Sequence, residues 1–251
     1  MLVHGLGASR ETWAAVLAAL ALRYDVLALD LPGHGQARAL TDRAAAQPAA
    51  LAGTVGQVCA QLGLDRPHLV GNSLGAWITL EMAADGHAAS VTALAPAGLR
   101  HETGPVHPML RVNRVVARAA APLSAAALTL RPIRALAFAT GSVTPSRLDL
   151  GLARSAARAM AVSTGYTPML RAAAGATFCR AGEITVPVSV VFGDRDAILP
   201  GRVNQQRDLL PAHTRWETWE RCGHAPMWDH PERTIELIEQ TVAATEGPLD
   251  R

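Results

Sequence analysis

The run Leu69-Val70-Gly71-Asn72-Ser73-Leu74-Gly75-Ala76-Trp77 decides how this chain folds. A short apolar strand enters Gly-x-Ser-x-Gly and an apolar helix leaves it. Such a sharp strand-to-helix turn projects the serine hydroxyl into a cleft, as a nucleophile elbow does. Glycines flank the serine because the turn crowds its neighbours and side chains there would clash. The helix starting near Leu74 aims its first backbone N–H groups and its positive dipole end at the same spot. An oxyanion forming there would be stabilised. An ordinary Gly-rich turn also fits these five residues, so the rest of the chain must supply the chemistry.

A serine hydroxyl is a poor nucleophile until an imidazole takes its proton and a carboxylate holds that imidazole in the right tautomer. Among nine histidines, His224 stands in Cys222-Gly223-His224-Ala225-Pro226, after a strand expected over 214–219 and before a helix expected from Pro231. A loop in that place can reach the mouth of the elbow. His230, directly before Pro231, reads as a cap or surface residue. The acid lies in the run from Val188 to Pro200, where a buried strand ends at Gly193 and Asp194 and Asp196 follow. Spacing alone does not choose between them: one can orient the histidine while the other pairs with Arg195 or caps the turn. Either choice gives the order serine, acid, histidine, which belongs to elbow-type hydrolases and not to the other triad families. A second oxyanion donor is expected from Leu2-Val3-His4-Gly5-Leu6-Gly7-Ala8-Ser9, a strand running into a Gly-rich loop. The two donors are read as the N–H groups of Leu6 and Leu74.

With these segments in order, the chain resembles a serine hydrolase of the α/β-hydrolase superfamily, in its capped esterase, lipase and C–C hydrolase branch. The likeness covers nearly the whole length. It rests on His4-Gly5-Leu6-Gly7, Asp30-Leu31-Pro32-Gly33-His34-Gly35, Gly71-Asn72-Ser73-Leu74-Gly75, Gly193-Asp194-Arg195-Asp196 with Pro200, and Gly223-His224. The resemblance implies Asp196 as the acid, since it is the fourth residue of Gly-x-x-Asp-x-x-x-Pro, and it assigns the oxyanion N–H groups to Leu6 and Leu74. It makes the Asp30–Gly35 turn structural, so His34 is not read as catalytic. A serine at the elbow argues against the dehalogenases and epoxide hydrolases of this fold, which use aspartate there. The family usually opens with an extra strand pair. Here Met1 stands almost inside the His-Gly strand, so that pair is expected to be missing and the sheet edge exposed.

Composition narrows the remaining classes. A chain of 251 residues can bury a substantial core as one domain with an insertion. No stretch reaches about 18 uncharged apolar residues, and Ala119 to Leu130 is interrupted by Pro122, so no membrane span is expected. No secretory leader is visible. Three cysteines, Cys59, Cys179 and Cys222, show no metal-site spacing and read as reduced thiols, which places the protein in the cytoplasm. Cys222 could be a nucleophile in another enzyme, but packing is the preferred reading. All 23 basic residues are arginine, which excludes Schiff-base chemistry, a pyridoxal phosphate anchor and a phosphate-loop lysine. Net charge of +2, 4% aromatics and the lack of a recognition motif argue against nucleic acid as a partner.

Strands alternating with helical patterns predict an α/β fold: a mostly parallel sheet flanked by helices. Strands are expected at Leu2-Val3, 26–29, 68–70, 90–94 and from Val186. Helices are expected over 11–22, 49–62 and 74–84. No strand is convincing from Leu99 to about Glu183, a stretch rich in Ala, Leu, Arg and scattered Pro. The core is therefore assigned to 1–98 and 184–251, and 99–183 to an inserted cap or lid of several short helices. That segment holds eleven arginines against Glu102, Asp149 and Glu183, a balance of +8, whereas the remainder carries −6. Arg111, Arg114 and Arg118 share one helical face. Their charge could attract an anionic substrate or lipid surface. Solvation of the outer face of Ala-rich helices also explains it and is preferred.

The expected function is hydrolysis of carboxylic esters of small to medium hydrophobic substrates through an acyl-enzyme, with Ser73, Asp196 and His224 catalytic and no metal or organic cofactor. Alternatives are C–C bond hydrolysis of vinylogous diketones, cofactor-free perhydrolysis, and a non-catalytic ligand-binding member of the fold. The first of these lacks its Gly-Pro-Gly-Ala oxyanion loop here, because Ala8-Ser9-Arg10 follow Gly7.

Overall fold

The computed structural model describes residues 1–40, 42, 44–104 and 108–245. Its centre is a six-stranded parallel sheet with strand order β2-β1-β3-β4-β5-β6. The strands are β1 (Leu2–Val3), β2 (Ala28–Leu29), β3 (His68–Asn72), β4 (Ser90–Leu94), β5 (Val188–Gly193) and β6 (Arg215–Trp219). β2 is shorter than the expected 26–29, although Leu2 N–H still donates to the Leu27 carbonyl at 2.7 Å and carries the pairing back one residue. β4 and β5, which lie inside the sheet, are buried throughout, as parallel strands covered on both faces must be.

Successive side chains alternate between two cores, following the period of two along a strand. Val3, Leu69, Ala93 and Val190 face one layer, where α2 (Pro48–Gln61) and α3 (Leu74–Ala84) contribute Leu51, Val55, Trp77 and Ile78. Leu2, Val70, Leu94 and Val191 face the other, against Val16 and Leu20 of α1 (Ala14–Leu20) and Leu237 and Ile238 of α9 (Pro231–Ala243). The expected helix over 11–22 divides into a 3-10 turn, Arg10–Trp13, and then α1. Asp30 accounts for the break: its carboxylate accepts from Arg10 N–H at 2.8 Å and pairs with the Arg10 guanidinium at 2.9 Å, which fixes the entry to the turn. α3 is buried on nearly every side, as its all-round apolar sequence requires.

Strand order reverses between β1 and β3. From β1 the chain steps outward to β2, then crosses back to β3 on the other side of β1. Loops leaving adjacent β1 and β3 diverge, and the crevice opens at the C-terminal ends of those strands. The Gly-rich loop and Ser73 flank this switch point.

The stretch between β4 and β5 contains α4 (Pro108–Ala127), α5 (Arg131–Phe138), α6 (Leu150–Val162) and α7 (Tyr166–Ala174), and no strand among its described residues. α4 is not short: it runs 20 residues through Pro122, which lacks the N–H that would bond the Arg118 carbonyl. Two clasps join this helical segment to the sheet layers. At the α6–α7 connection, Gly165 N–H donates to the Gly33 carbonyl at 3.1 Å. After α5, the Asp229 carboxylate at the end of α8 (Pro226–Asp229) accepts from Ser142 Oγ at 2.6 Å, Val143 N–H at 3.1 Å and Gly223 N–H at 2.8 Å. No described helix is long and apolar enough to cross a membrane.

Candidate active site

β3 ends at Asn72 and α3 begins at Leu74, so Ser73 is the whole turn. Its backbone sits at φ 56°, ψ −117°, a left-handed conformation rare for a residue with a side chain. Such a conformation costs on the order of 1–3 kcal/mol and persists only where its surroundings impose it. Here Ser73 N–H donates to the Leu94 carbonyl at 2.9 Å, and the Ser73 carbonyl accepts from Ala97 N–H at 3.1 Å. The glycine two residues on is required by close approach: a Cβ on Gly75 would overlap the Val3 carbonyl oxygen, because α3 starts directly against β1.

Leu74 is the first residue of α3, so its N–H has no partner within the helix. Leu6 lies in the loop after β1. That loop passes close to the serine: a Cβ built on Gly5 would be 3.1 Å from Ser73 Cβ. His34 props up the loop. Its Nε2 accepts from Gly7 N–H at 3.1 Å, and its Nδ1 donates to the Pro32 carbonyl at 3.1 Å. This pattern needs a neutral ring with the proton on Nδ1. Burial holds it neutral, pulling the His34 pKa down to about 3, with neighbouring His4 adding to the effect. His4 is fully buried and works the same way, accepting from Leu31 N–H at 3.0 Å. The resemblance implied a structural role for the Asp30–Gly35 turn; it did not reveal that His34 shapes the neighbouring Gly-rich loop.

The structure brings His224 and Asp196 together. His224 Nδ1 donates to Asp196 Oδ2 at 2.7 Å, and both residues are buried. The other carboxylate oxygen, Oδ1, accepts from Ile198 N–H at 2.8 Å and Leu199 N–H at 2.9 Å. Burial by itself would push the Asp196 pKa up. The His224 ring and those two N–H groups outweigh it, and the carboxyl is held below its usual range. Asp194, the alternative acid, is exposed and accepts instead from Cys222 N–H at 3.1 Å. Cys222 itself is a packing residue: burial, with Asp229, Asp194 and Asp196 around it, pushes its thiol pKa up to about 12. A thiol with that pKa is not a ready nucleophile.

Asn72 joins the two halves of the site. Its Nδ2 donates to the His224 carbonyl at 3.0 Å and the Leu94 carbonyl at 3.1 Å, so the residue before the serine holds the histidine loop against the elbow. Sequence reading missed this role, and it missed Asp229, whose carboxylate fixes Gly223, the residue before His224. The only hint of either was position, one immediately before Ser73 and the other just after the histidine loop. A cavity of about 400 Å³ between α1 and Trp228 is lined by none of the five predicted site residues.

Residues 1–237 match the model of the Alpha/beta hydrolase family. The chain belongs to this family. An epoxide hydrolase of Mycobacterium tuberculosis is 34% identical over 205 residues, covering 76% of this chain and 92% of its own. A pimeloyl-[acyl-carrier protein] methyl ester esterase of Neisseria meningitidis is 28% identical, covering 99% of this chain and 77% of its own. The fold matches that of an esterase from a Rhodococcus species with a TM-score of 0.71 at 22% identity, over 97% of this chain and 90% of the other. Together these support an enzyme of the alpha/beta hydrolase type. The sequence predicts an α/β fold with a mostly parallel sheet flanked by helices; that fold is observed, with all six strands of the sheet parallel.

Proposed function

We propose that this alpha/beta hydrolase is a serine esterase. In this reading Ser73 Oγ attacks the ester carbonyl while His224 takes its proton, and Asp196 steadies the imidazolium that forms. The N–H groups of Leu6 and Leu74 hold the oxyanion, an electrostatic contribution of roughly 3–4 kcal/mol per donor in comparable sites. The alcohol leaves with the proton returned by His224, and water activated by the same ring then releases the acid. The ester is small to medium and largely hydrophobic, and the helical segment 99–183 acts as the lid over it.

The observation that carries the proposal is the buried His224–Asp196 pair at 2.7 Å, tied by Asn72 to a serine in the left-handed elbow conformation. The likeness to a protein named as an epoxide hydrolase is the competing lead. Against it stands Ser73, where the epoxide hydrolases of this fold that the sequence resembles use aspartate. Turnover of p-nitrophenyl esters of graded chain length, compared with styrene oxide, tests the choice. Ester hydrolysis lost in Ser73→Ala and His224→Gln supports the proposal. Epoxide opening without ester hydrolysis overturns it.

A further inference from the structure

Arg114 on α4 is half-buried, and one of its guanidinium nitrogens lies buried without a partner. Nη2 donates to the Ser163 carbonyl. Nη1 is buried with no hydrogen-bond partner, and Ser163 Oγ, in a residue only 2% exposed, is buried and unpartnered as well. Two orphaned polar atoms thus belong to two residues already in contact. Among the described residues no carboxylate lies within ion-pair distance of Arg114, whereas Arg180 has Glu81, Asp85 and Glu183, and Arg10 has Asp30. Arg134 is more deeply buried; its terminal nitrogens donate to the Leu128 and Ser146 carbonyls at 2.9 Å, and only its Nε is left without a partner. His34 cannot serve Arg114, since both its ring nitrogens are engaged.

The position of this pair ties it to the Gly-rich loop. The Arg114 guanidinium carbon lies 5.3 Å from the centroid of the Tyr166 ring. That ring, anchored by its hydroxyl to the Leu110 carbonyl at 2.7 Å, packs on the loop: a Cβ on Gly7 would be 2.8 Å from Tyr166 Cε2. Gly5, two residues back, lies against Ser73. The path from Ser73 through Gly5, Gly7 and Tyr166 therefore limits the separation of Arg114 from the nucleophile position to about 20 Å at most. A buried donor with no acceptor is costly to leave unpaired. A guanidinium edge beside a hydroxyl donor suits a planar carboxylate, which accepts two hydrogen bonds side by side.

We propose that Arg114 Nη1 and Ser163 Oγ form an anion subsite for a carboxylate at the far end of the acyl chain, so that the preferred substrates are half-esters of dicarboxylic acids. This inference rests on the serine-esterase reading and narrows its substrate class. It also separates Arg114 from its helical neighbours Arg111 and Arg118, which are exposed as solvating arginines would be.

The test compares p-nitrophenyl half-esters of straight-chain dicarboxylic acids with p-nitrophenyl esters of fatty acids of the same length. The readout is the ratio of kcat/KM, carboxylate over neutral, at each length. Wild type is expected to show a length optimum at which the ratio favours the carboxylate by roughly tenfold or more, the scale of one charge-assisted contact. Arg114→Gln should abolish that optimum. Ser163→Ala, a smaller change less able to unfold the segment, should lower it several-fold. A ratio that favours the neutral ester at every length, or one unchanged in both variants, overturns the subsite while neutral-ester turnover leaves the esterase reading intact. Absence of turnover on every ester, neutral ones included, overturns both.

Discussion

Replacing Asn72 with alanine should loosen the site and the fold together. The side chain donates two hydrogen bonds, to the Leu94 and His224 carbonyls. The bond to the Leu94 carbonyl contributes about 1 kcal/mol net. The Leu94 carbonyl keeps a second partner in Ser73 N–H at 2.9 Å. The His224 carbonyl is buried, and leaving it unpaired adds about 1–3 kcal/mol. The total loss is about 2–4 kcal/mol, and in a domain of this size each kcal/mol moves Tm by about 2–4 °C. Calorimetry should therefore show Tm lowered by roughly 5–15 °C. The same change frees the loop that carries the proposed base, so kcat/KM for a p-nitrophenyl ester at 25 °C should drop as well. An unchanged Tm with unchanged kcat/KM would refute the claim that Asn72 couples elbow and histidine loop.

Asp196→Asn should reduce ester kcat/KM by roughly 10³–10⁴-fold, because an amide donates where the carboxylate accepts and sets the wrong His224 tautomer; steady-state kinetics above neutral pH measures it. The folded Asp196 carboxyl titrates below its ordinary value of 3.8, so its pairing stabilises the fold above that value and is lost as pH falls toward the folded one. His34 runs in the same direction at higher pH: its folded pKa is about 3 against an ordinary 6.5, so the unfolded chain takes up the proton first and stability falls on acidification below 6.5. Between pH 7 and pH 5 that single group removes about 2 kcal/mol. Urea denaturation at the two pH values should show a loss that is smaller by this amount in His34→Gln; an equal loss in both proteins would count against a buried neutral His34.

Local rules were enough for most of the architecture. α3 over 74–84 and β4 over 90–94 fall where apolar runs and the flanking turn residues put them. Spacing could not separate Asp194 from Asp196; the resemblance could, and the packing explains why. Gly193 ends β5; Asp194 stays exposed and meets only the Cys222 N–H, whereas the residue three past Gly193 turns inward onto the His224 ring, where Ile198 and Leu199 N–H groups face it. What stayed hidden depends on contacts remote in sequence. Asn72 meets the His224 carbonyl across 152 residues, and Ser142 meets Asp229 across 87. His34 owes its place to the loop it props up, which no periodicity within its own segment reports. The length of α4 was obscured for a different reason: Pro122 signals a break, and the helix runs on past it.

The most direct test of the central claim is labelling of the purified protein by a fluorophosphonate, read by intact mass beside Ser73→Ala. An activated serine displaces fluoride from phosphorus and keeps the phosphonyl group. The account predicts one adduct on the wild type, located at Ser73 by peptide mapping, and none on the variant. A folded wild type that acquires no adduct, or one whose adduct persists in Ser73→Ala, would contradict it.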